Sequence, residues 1–565
     1  MQELARFVWE SKYRQPGEKG IEDSWWRVAR ALASIEPHDQ PGWAERFYEI
    51  LAGFHFLPGG RILAGAGTAR RVTLCNCFVM GLIEDEMAAI FEHLKEGALT
   101  LQQGGGIGLD FSTLRPAGSA GGACGTVASG PISFMKVWDA MCATLQSTGS
   151  RRGAMMATLR CDHPDILAFI DAKRDPAALR HFNLSVQVTD AFMAALAEGA
   201  DWPLRFPAQG EELVRLPARE LWQRLMQACY DSAEPGVLFI DRINSEDNLR
   251  YCEAISATNP CGEIPLPPYG ACDLGSLNLT AFIQTPFGPQ AHLDWPALEK
   301  AVALAVRMLD DVIDLSHYPL PAQEAQAKAS RRIGLGVTGL GDVLLMLGLR
   351  YDSEAARDWA AALLRRIRDA AYQASIDLAA EKGPFPLFEA GPYLASPFVA
   401  RLPEALKAGI AKQGIRNSHL LAMAPTGSIS LLAGNLSSGI EPVFDFHHRR
   451  QVLTPGGGIC FEVEDWAHAL WRQGGAKALP GHFVTARQLS PRAHLAMVAA
   501  LQPFVDNSIS KTVNIPADYP FADFAALYQD AYRLGLKGCT CFRPNAVTSA
   551  VLSTDSEPCC QLEAP

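Results

Sequence analysis

The stretch Asn259-Pro260-Cys261-Gly262-Glu263, followed by Cys272, carries the most chemical information in this chain. A thiol can donate a hydrogen atom, a carboxylate can move a proton, and two thiols can supply two electrons by forming a disulfide. Four prolines between residues 260 and 268 exclude a continuous helix and favour a stiff turn or finger. The alternative is that Cys261 and Cys272 are ordinary buried thiols, since free cysteine is among the most buried residue types.

Length and composition place the chain among globular enzymes. Its 565 residues suffice for several domains or for one large barrel with appendages. Hydrophobic residues make up 48% and charged residues 20%, and the net charge of −11 argues against a nucleic-acid-binding surface, because such surfaces are basic. The N-terminus lacks the apolar core of a signal peptide, and no apolar run is long enough to span a membrane. We therefore expect a cytoplasmic protein that binds neither membranes nor nucleic acid.

The fourteen cysteines are too few for a disulfide scaffold in so long a chain. In a reducing compartment, paired cysteines are typical of metal ligands or redox couples. A zinc site would need arms of the CxxC type, which the spacings near the C-terminus do not provide, so we expect no metal there. The pairs are Cys75/Cys77, Cys261/Cys272, Cys539/Cys541 and Cys559/Cys560.

Residues 1–55 are predicted to form a helical region. Trp25, Val28, Leu32 and Ile35 recur at helical spacing behind Asp23-Ser24, which would cap the helix. The sequence Pro58-Gly59-Gly60 then interrupts the pattern.

Residues 56–545 alternate short apolar runs with amphipathic helices, which indicates α/β architecture. The run from Gly236 to Ile240 has the pattern of a buried strand. A helix should begin at Asp294-Trp295-Pro296, because proline is favoured in the first turn. Residues 546–565 lose this periodicity and are expected to form a mobile tail.

Three loops could contact a phosphate or a nucleotide, although each also has a simpler structural explanation. The glycine run from Gln102 to Gly108 allows close backbone approach, but a tight turn explains it equally well. Pro425-Thr426-Gly427-Ser428-Ile429-Ser430 offers hydroxyls and backbone N–H groups at a possible helix start, or is only a capped loop. The loop from Ser147 to Gly153 contains Arg151-Arg152, which could bind a nucleotide or face solvent.

Longer stretches support a specific resemblance. They are Trp9-Glu10-Ser11-Lys12-Tyr13, Pro58–Leu63, Asn76–Val79, the glycine-rich stretch 104–116, Ala128–Pro131, Arg151–Ile166, Asn259–Leu279, Ala424–Ser428, Ser437–Pro442 and Cys539–Asn545. In this order, and over nearly the whole chain, they closely resemble the adenosylcobalamin-dependent, class II ribonucleotide reductases. That resemblance implies a ten-stranded α/β barrel made of two antiparallel halves, each of five parallel strands, with a finger loop through its centre.

The resemblance also implies roles for individual residues. Cys261 looks like the thiyl-radical residue at the tip of the finger, and Cys77 and Cys272 look like the pair that becomes a disulfide. Asn259 and Glu263 look like the polar partners of the substrate's ribose hydroxyls. A thiyl radical can take the ribose 3′ hydrogen atom, which ordinary acid–base chemistry cannot remove.

Further binding residues follow from the same resemblance. The loop Pro425, Thr426, Gly427, Ser428 and Ile429 is similar to the family's phosphate-binding loop, and Asn76 and Gly106 would contact substrate. A dNTP or ATP effector would bind near Asp85, Arg115, Arg151 and Arg152. The implied partners are a ribonucleotide, with a diphosphate favoured over a triphosphate, a thioredoxin- or glutaredoxin-type reductant and a second copy of the chain in a homodimer.

Three classes of this family differ in their source of the radical. A class I chain relays a radical from a separate subunit through adjacent tyrosines near the C-terminus, and this sequence contains no Tyr-Tyr pair. A class III chain carries a glycyl-radical motif near its end, which is missing from the segment around Cys559-Cys560. The cobalamin class remains, although Asp445-Phe446-His447 does not continue as a DxHxxG cobalamin motif, so the cofactor rests on the resemblance.

Some features depart from the family pattern. Cys75 is an additional thiol, and Cys559-Cys560 are adjacent, whereas shuttle cysteines are usually separated, so Cys539/Cys541 compete for the role of redox shuttle. The alternative functions are a reductase of another class, a glycyl-radical lyase and a non-catalytic nucleotide-binding relative. The last should have lost one of Cys77, Asn259, Cys261, Glu263 or Cys272, and all five are present.

Overall fold

The predicted α/β region contains one large sheet in a computed structural model of the chain, which describes residues 2–120, 127–145, 153–207, 210, 212–454, 457–475, 478–544 and 561–562. The strands are β1 Phe56–Pro58, β2 Cys77–Val79, β3 Gly106–Asp110, β4 Met155–Arg160, β5 Phe182–Val188, β6 Asp201–Arg205, β7 Glu212–Pro217, β8 Gly236–Phe239, β9 Ala257–Thr258, β10 Pro265–Leu266, β11 Ala271–Asn278, β12 Ile283–Gln284, β13 His292–Leu293, β14 Ile333–Thr338, β15 His447–Thr454, β16 Gly457–Glu464, β17 Thr512–Asn514, β18 Gly538–Phe542 and β19 Gln561–Leu562.

Helices cover this sheet and form the N-terminal region. The α-helices are α1 Glu3–Val8, α2 Ile21–Ala33, α3 Gln40–Ala52, α4 Gly60–Gly65, α5 Met87–Gln102, α6 Pro131–Thr144, α7 Ile166–Ile170, α8 Asp190–Glu198, α9 Ala218–Ser232, α10 Ile240–Ser245, α11 Trp295–Leu315, α12 Pro321–Ser330, α13 Leu340–Met346, α14 Glu354–Lys382, α15 Ala390–Leu394, α16 Pro397–Ala400, α17 Glu404–Gln413, α18 Gly427–Leu432, α19 Trp466–Gln473, α20 Pro491–Leu501 and α21 Phe521–Arg533. A π-helical turn spans Trp9–Tyr13, and 3₁₀ turns span Leu279–Phe282, Ala486–Gln488 and Gln502–Phe504. None of the described helices has the length and apolar character needed to cross a membrane.

Two sets of parallel strands form the barrel wall. In the first set, β2, β3, β4, β5 and β8 run parallel, each to the next. In the second, β11 is parallel to β14, and β17 is parallel to β18. Parallel bridges from Leu335 to Leu421 and from Met423 to Ile509 connect β14 to the segment that leads into β17.

The two sets meet at antiparallel junctions, where β2 pairs with β11 and β8 pairs with β18. Together with the two bridges, these pairings trace a closed circuit of strands. The predicted α/β barrel with two antiparallel halves is therefore confirmed. Strands β8, β11 and β14 are buried along their entire length, which is typical of parallel strands covered by helices.

Local sequence rules place some helices well. Helix α11 begins where predicted, with the Asp294 carboxylate accepting a hydrogen bond from the Ala297 N–H (3.1 Å) and a proline in the first turn. Its predicted inner face, which includes Leu298, Val302 and Leu309, is fully buried. Each such side chain contributes about 1.5–3 kcal/mol to the free energy of unfolding.

The predicted cap of the first long helix is wrong by about one turn. Helix α2 begins at Ile21, so Asp23 lies inside the first turn and its carboxylate accepts from the backbone N–H groups of Lys19 (2.7 Å) and Gly20 (3.3 Å). Ser24 is buried, where it accepts from the Trp9 indole and donates to Glu18. Asp23 therefore caps the helix from inside its first turn, so taking the first capping-type residue as the helix start places that start too late.

The predicted finger is present and contacts both halves of the barrel. Strands β9 and β10 pair as a short antiparallel arm, with Pro265 opposite Thr258. The finger residue Pro260 packs near Gly106, whose added Cβ would lie 3.2 Å from the proline ring, and the Thr258 carbonyl oxygen lies directly against Gly108. The glycine run of β3 thus lets the finger approach the barrel wall.

We expect Gly108→Ala to destabilise the protein strongly, because the new methyl group would overlap the Thr258 carbonyl oxygen in a backbone that cannot move aside. The expected loss is about 3 kcal/mol or more in the free energy of unfolding, the upper range for overpacking. Thermal or denaturant unfolding would measure it. Gly481→Ala is the matched control, since nothing lies near an added Cβ there; equal stability of the two variants would contradict the packing of the finger against β3.

Candidate functional site

The tip of the finger is a tight turn closed by Asn259. The Gly262 N–H donates to the Asn259 carbonyl (3.0 Å), and the Ile264 N–H donates to the Asn259 side-chain oxygen (3.0 Å). Gly262 has a φ of +81°, a conformation that favours glycine. The turn leaves Cys261 exposed, whereas Asn259 and Glu263 are each only 2% exposed. The predicted stiff turn therefore presents one thiol and buries its polar neighbours.

Barrel residues hold the finger by its backbone carbonyls. The Pro260 carbonyl accepts from the Asn183 amide on β5 (2.8 Å), and the Glu263 carbonyl accepts from the Ser508 N–H (2.9 Å). The Pro265 carbonyl accepts from the buried Arg332 guanidinium (2.6 Å). Because these donors come from both sets of strands, the position of Cys261 depends on the whole barrel.

A buried ionic group supports the base of the finger. Arg332 forms ion pairs with Glu253 and, at 3.5 Å, with Asp247. Burial raises the pKa of Glu253 to about 7, although the adjacent Arg332 charge opposes the shift. His419 contacts Asp247 at 2.9 Å, and burial holds the pKa of this histidine well below its usual range. Sequence patterns did not indicate this group, since its members come from three separate segments.

Cys77 and Cys272 lie directly opposite each other at the antiparallel junction of β2 and β11. Opposed residues in antiparallel strands have Cα atoms about 4.5–5.5 Å apart, within the range of roughly 4.4–6.8 Å that a disulfide spans. The Asn259 amide donates to the Cys77 sulfur (3.2 Å), so the finger contacts one member of the pair. Both cysteines are buried, and burial raises the pKa of Cys272 well above its usual value.

A cavity of about 1030 Å³ opens in front of Cys261. Pro425, Gly427 and Ser428 of the predicted phosphate loop line it, and Ser428 accepts a hydrogen bond from the Tyr13 hydroxyl (2.7 Å). Thr426 instead braces the loop, because its hydroxyl accepts from the Gly439 N–H (2.8 Å). Ile429 is buried behind it in α18. The structure therefore brings the loop and the finger tip to one cavity.

Several further residues line this cavity that the sequence analysis did not assign to the site. Lys12 comes from the N-terminal π-helical turn Trp9–Tyr13. The family resemblance of this stretch was the only sequence signal that could have indicated a role for Lys12 in the site. Lys511 is buried and forms an ion pair with Glu441. The other charged or titratable contributors are Glu234, Asp445, His448, Arg450, Asp465, Arg487, Cys539 and Cys541.

Asn76 and Gly106 lie beside the finger rather than on the cavity wall. The Gly106 N–H donates to the Asn76 carbonyl (2.9 Å), and Gly106 faces the Pro260 ring. The Asn76 side-chain oxygen accepts no hydrogen bond from the described part of the chain. Close approach of the finger is thus a direct physical reason for glycine at position 106.

Two of the four predicted effector residues, Asp85 and Arg115, lie apart from this cavity. Arg115 donates to the Asp85 carboxylate (2.5 Å) and to its carbonyl (3.1 Å), so these two residues form one ion pair. Neither lines the cavity. Arg151 and Arg152, together with the tail cysteines Cys559 and Cys560, lie outside the described residues.

The remaining paired thiols are held in the core. Cys75 contacts Ser316, and burial raises the pKa of Cys75 to about 12. Cys539 and Cys541 are buried in β18. A hydrogen bond with Cys541, together with burial, raises the pKa of Cys539 well above its usual value.

Comparisons with known proteins match nearly the whole chain. The family model described as the ribonucleotide reductase barrel domain matches residues 75–542, and that of the ribonucleotide reductase all-alpha domain matches residues 2–71. The chain is 40% identical to the vitamin B12-dependent ribonucleoside-diphosphate reductase of Mycobacterium tuberculosis (strain CDC 1551 / Oshkosh), over 94% of this chain and 76% of that protein. It is 35% identical to the protein of the same name from Thermoplasma acidophilum, over 90% and 66%. The ribonucleoside-diphosphate reductase large subunit of vaccinia virus is 26% identical, over 87% and 70%.

The exposure of the thiols predicts an order of alkylation. Cys261 should react with iodoacetamide at least about tenfold faster than Cys77 or Cys272, because they are buried and the raised pKa of Cys272 disfavours its reactive thiolate. Time-resolved peptide mapping at pH 8 would measure the rates. Cys252 serves as an internal reference. It is exposed, but partial burial of its thiol and nearby acidic residues raise its pKa to about 11. Labelling of Cys272 as fast as Cys261 would contradict the arrangement.

Proposed function

Because the chain belongs to the ribonucleotide reductase family, we propose that it reduces ribonucleotides to 2′-deoxyribonucleotides with a thiyl radical on Cys261, using adenosylcobalamin. The observation that carries this function is the exposed Cys261 on a rigid finger, facing a cavity that the phosphate loop also lines. The relatives' names support ribonucleoside diphosphates as substrates and vitamin B12 as cofactor.

The chemistry assigns one step to each residue. The Cys261 thiyl radical takes the hydrogen atom from ribose C3′, Glu263 accepts the 3′-hydroxyl proton, and the 2′-hydroxyl leaves as water after protonation. Cys77 and Cys272 supply two electrons and two protons and become a disulfide: one proton goes to the leaving 2′-hydroxyl and the other is added at C2′. Glu263 then returns its proton to the 3′ oxygen, and Cys261 returns the hydrogen atom to C3′. The water-excluding barrel protects the radical from side reactions. Asn259 links these steps, since it shapes the turn that carries Cys261 and donates to Cys77.

The residues around the cavity fit a large polar cofactor beside the substrate. The volume of about 1030 Å³ reaches the upper end of the roughly 300–1,000 Å³ found for small-molecule sites. Arg450 lies on its wall with an Nε that has no hydrogen-bond partner among the described residues, and burial lowers its pKa to about 10. We assign Arg450, His448 and Arg487 to the polar periphery of the cofactor. When bound, the cofactor supplies the oxidising equivalent for Cys261 by homolysis of its cobalt–carbon bond.

The substrate's phosphates fit the wall formed by α18 and the N-terminus. Gly427 offers a backbone N–H, Ser428 offers a hydroxyl that the Tyr13 hydroxyl orients, and Lys12 brings a positive charge to the same cavity. A lysine is a common phosphate-binding point charge. The N-terminal helices therefore contribute directly to substrate binding in this proposal.

A separate surface fits regulation and assembly. Helix α5 exposes Met87, Phe91 and Leu99, and Leu82 just before it is also exposed. Large apolar residues exposed along one element can mark a protein interface, so we assign this surface to the predicted homodimer contact. Asp85 lies two residues before the start of α5, and its ion pair with Arg115 is our candidate for the effector site.

Electron supply involves the residues beyond the barrel. Cys539 and Cys541 line the cavity, but burial, the raised pKa of Cys539 and their fixed place in β18 disfavour a shuttle that must also reach a reductant outside the barrel. We therefore favour Cys559 and Cys560 in the tail 546–565, re-reduced by a thioredoxin- or glutaredoxin-type protein. We also propose a cytoplasmic location, because thioredoxin- and glutaredoxin-type reductants act in a reducing compartment.

We predict that Cys261→Ser abolishes nucleotide reduction, because an alcohol cannot replace the thiyl radical. Turnover should fall below about one hundredth of wild type, as expected when a group that acts only in the transition state is removed. The assay contains adenosylcobalamin, a dithiol and a ribonucleoside diphosphate. Cys252→Ser, which removes another exposed thiol, should keep its activity. A Cys261→Ser enzyme with about a tenth of wild-type turnover would refute the assignment.

A turnover count without external reductant tests the electron route. Prereduced wild-type enzyme should form about one product per chain from the Cys77–Cys272 pair and more from the tail pair. Changing both Cys559 and Cys560 to serine should lower the count to about one, with a 77–272 disulfide found by peptide mapping. Changing both Cys539 and Cys541 to serine is the matched control and should leave the count unchanged. If only this control loses product, the shuttle belongs to β18.

A further inference from the structure

Three side chains converge at the base of the β15–β16 hairpin. His447 begins β15, Glu464 ends β16 and His468 lies in the first turn of α19. The His468 Nδ1 is 2.7 Å from the Glu464 carboxylate, and the His447 Nε2 is 3.8 Å from it. One potential ligand atom from each residue lies within 4.8 Å of the others.

Strand pairing fixes His447 and Glu464, and a helix cap with ring stacking fixes His468. His447 lies directly opposite Glu464 in the antiparallel register. Asp465 caps α19, since its carboxylate accepts from the His468 N–H (3.0 Å), and its own N–H donates to the Phe446 carbonyl (3.0 Å). The His468 ring stacks on Phe446 with centroids 5.0 Å apart. A preorganised set of side chains needs little rearrangement to bind a ligand.

We propose that His447, Glu464 and His468 bind a divalent transition-metal ion of the zinc type. Two imidazoles and one carboxylate are a known zinc ligand set, which leaves a further position for water. The same residue types also suit other first-row metals, so the site is defined by its donors rather than by one ion. This proposal does not depend on the proposed function.

A simple ion-pair network is the competing explanation for the cluster. Glu464 also contacts the Arg472 guanidinium, at 3.3 Å, and this cation would compete with a metal. The Arg472 side chain is 58% exposed, so it can move into solvent at little cost. The His447 side chain is similarly exposed and is therefore open to an incoming ion.

Side chains alternate between the two faces of strand β15, so a metal bound on one face could stabilise the cavity wall on the other. His447 lies on one face of the strand, whereas the neighbouring His448 is buried and lines the large cavity with Arg450. A metal on the outer face would tie the hairpin to α19 at its base. It would thereby hold the cavity wall that carries His448 and Arg450 without entering the cavity.

Metal content in matched variants tests the site. Untagged full-length protein, treated with chelator and then equilibrated with ZnCl₂, would be analysed for bound zinc and titrated calorimetrically. Wild type should bind about one more Zn²⁺ per chain than Glu464→Gln or His447→Ala, because each change removes a ligand. Glu462→Gln is the matched control, since this 82% exposed carboxylate lies two residues earlier on the same strand. Zinc bound by cysteines is common to all four proteins and cancels.

Equal zinc content in wild type, Glu464→Gln and His447→Ala would overturn the proposal and leave the ion-pair network. Equal losses in Glu462→Gln and Glu464→Gln would also overturn it, because they would indicate non-specific surface binding. His447→Ala keeps the test decisive if Glu464→Gln fails to fold, since the His447 side chain is exposed. With Co²⁺ as a second probe, wild type should gain visible absorption that His447→Ala lacks, without the near-ultraviolet band that thiolate ligands produce. A spectrum dominated by that band, and equal in both proteins, would place the ion on cysteines instead.

Discussion

The structure depends on placing a polypeptide finger inside a barrel without leaving its backbone groups unsatisfied. A buried carbonyl without a partner costs free energy comparable to a lost hydrogen bond. The carbonyls of Pro260, Glu263 and Pro265 find donors in Asn183, Ser508 and Arg332, which lie in different parts of the wall. The two halves of the barrel together therefore fix the position and orientation of Cys261.

The same constraint explains the position of the thiol pair. The two sets of parallel strands run in opposite directions, so β2 and β11 meet as antiparallel neighbours and their register sets Cys77 against Cys272. The finger passes this junction, where Asn259 contacts Cys77 while its side-chain oxygen holds the turn that presents Cys261. One amide thus relates the exposed thiol to the buried pair, and neither arrangement requires a sequence motif that joins the segments.

Local features were predictable from sequence, whereas long-range pairing was not. The prolines indicated the finger turn, and Asp294 with Pro296 indicated the start of α11, because these effects act within a few residues. The barrel came only from the family resemblance, since periodicity cannot say which distant strands pair. The glycines of β3 could equally have formed a turn, and only the adjacent Thr258 carbonyl explains Gly108. Lys12 reached the cavity from a region predicted only as helical.

Selective oxidation in a chain with many thiols follows from their surroundings. Cys75 lies close enough to Cys272 to affect its pKa, yet burial raises the pKa of Cys75 to about 12 and Ser316 holds its sulfur. A thiol that stays protonated is a poor nucleophile toward a disulfide. Cys272 shares that resistance, so its proposed oxidation would depend on the directly opposed Cys77 or on a radical intermediate beside it. Register, rather than intrinsic reactivity, is therefore what distinguishes the Cys77–Cys272 pair from the additional thiol two residues away.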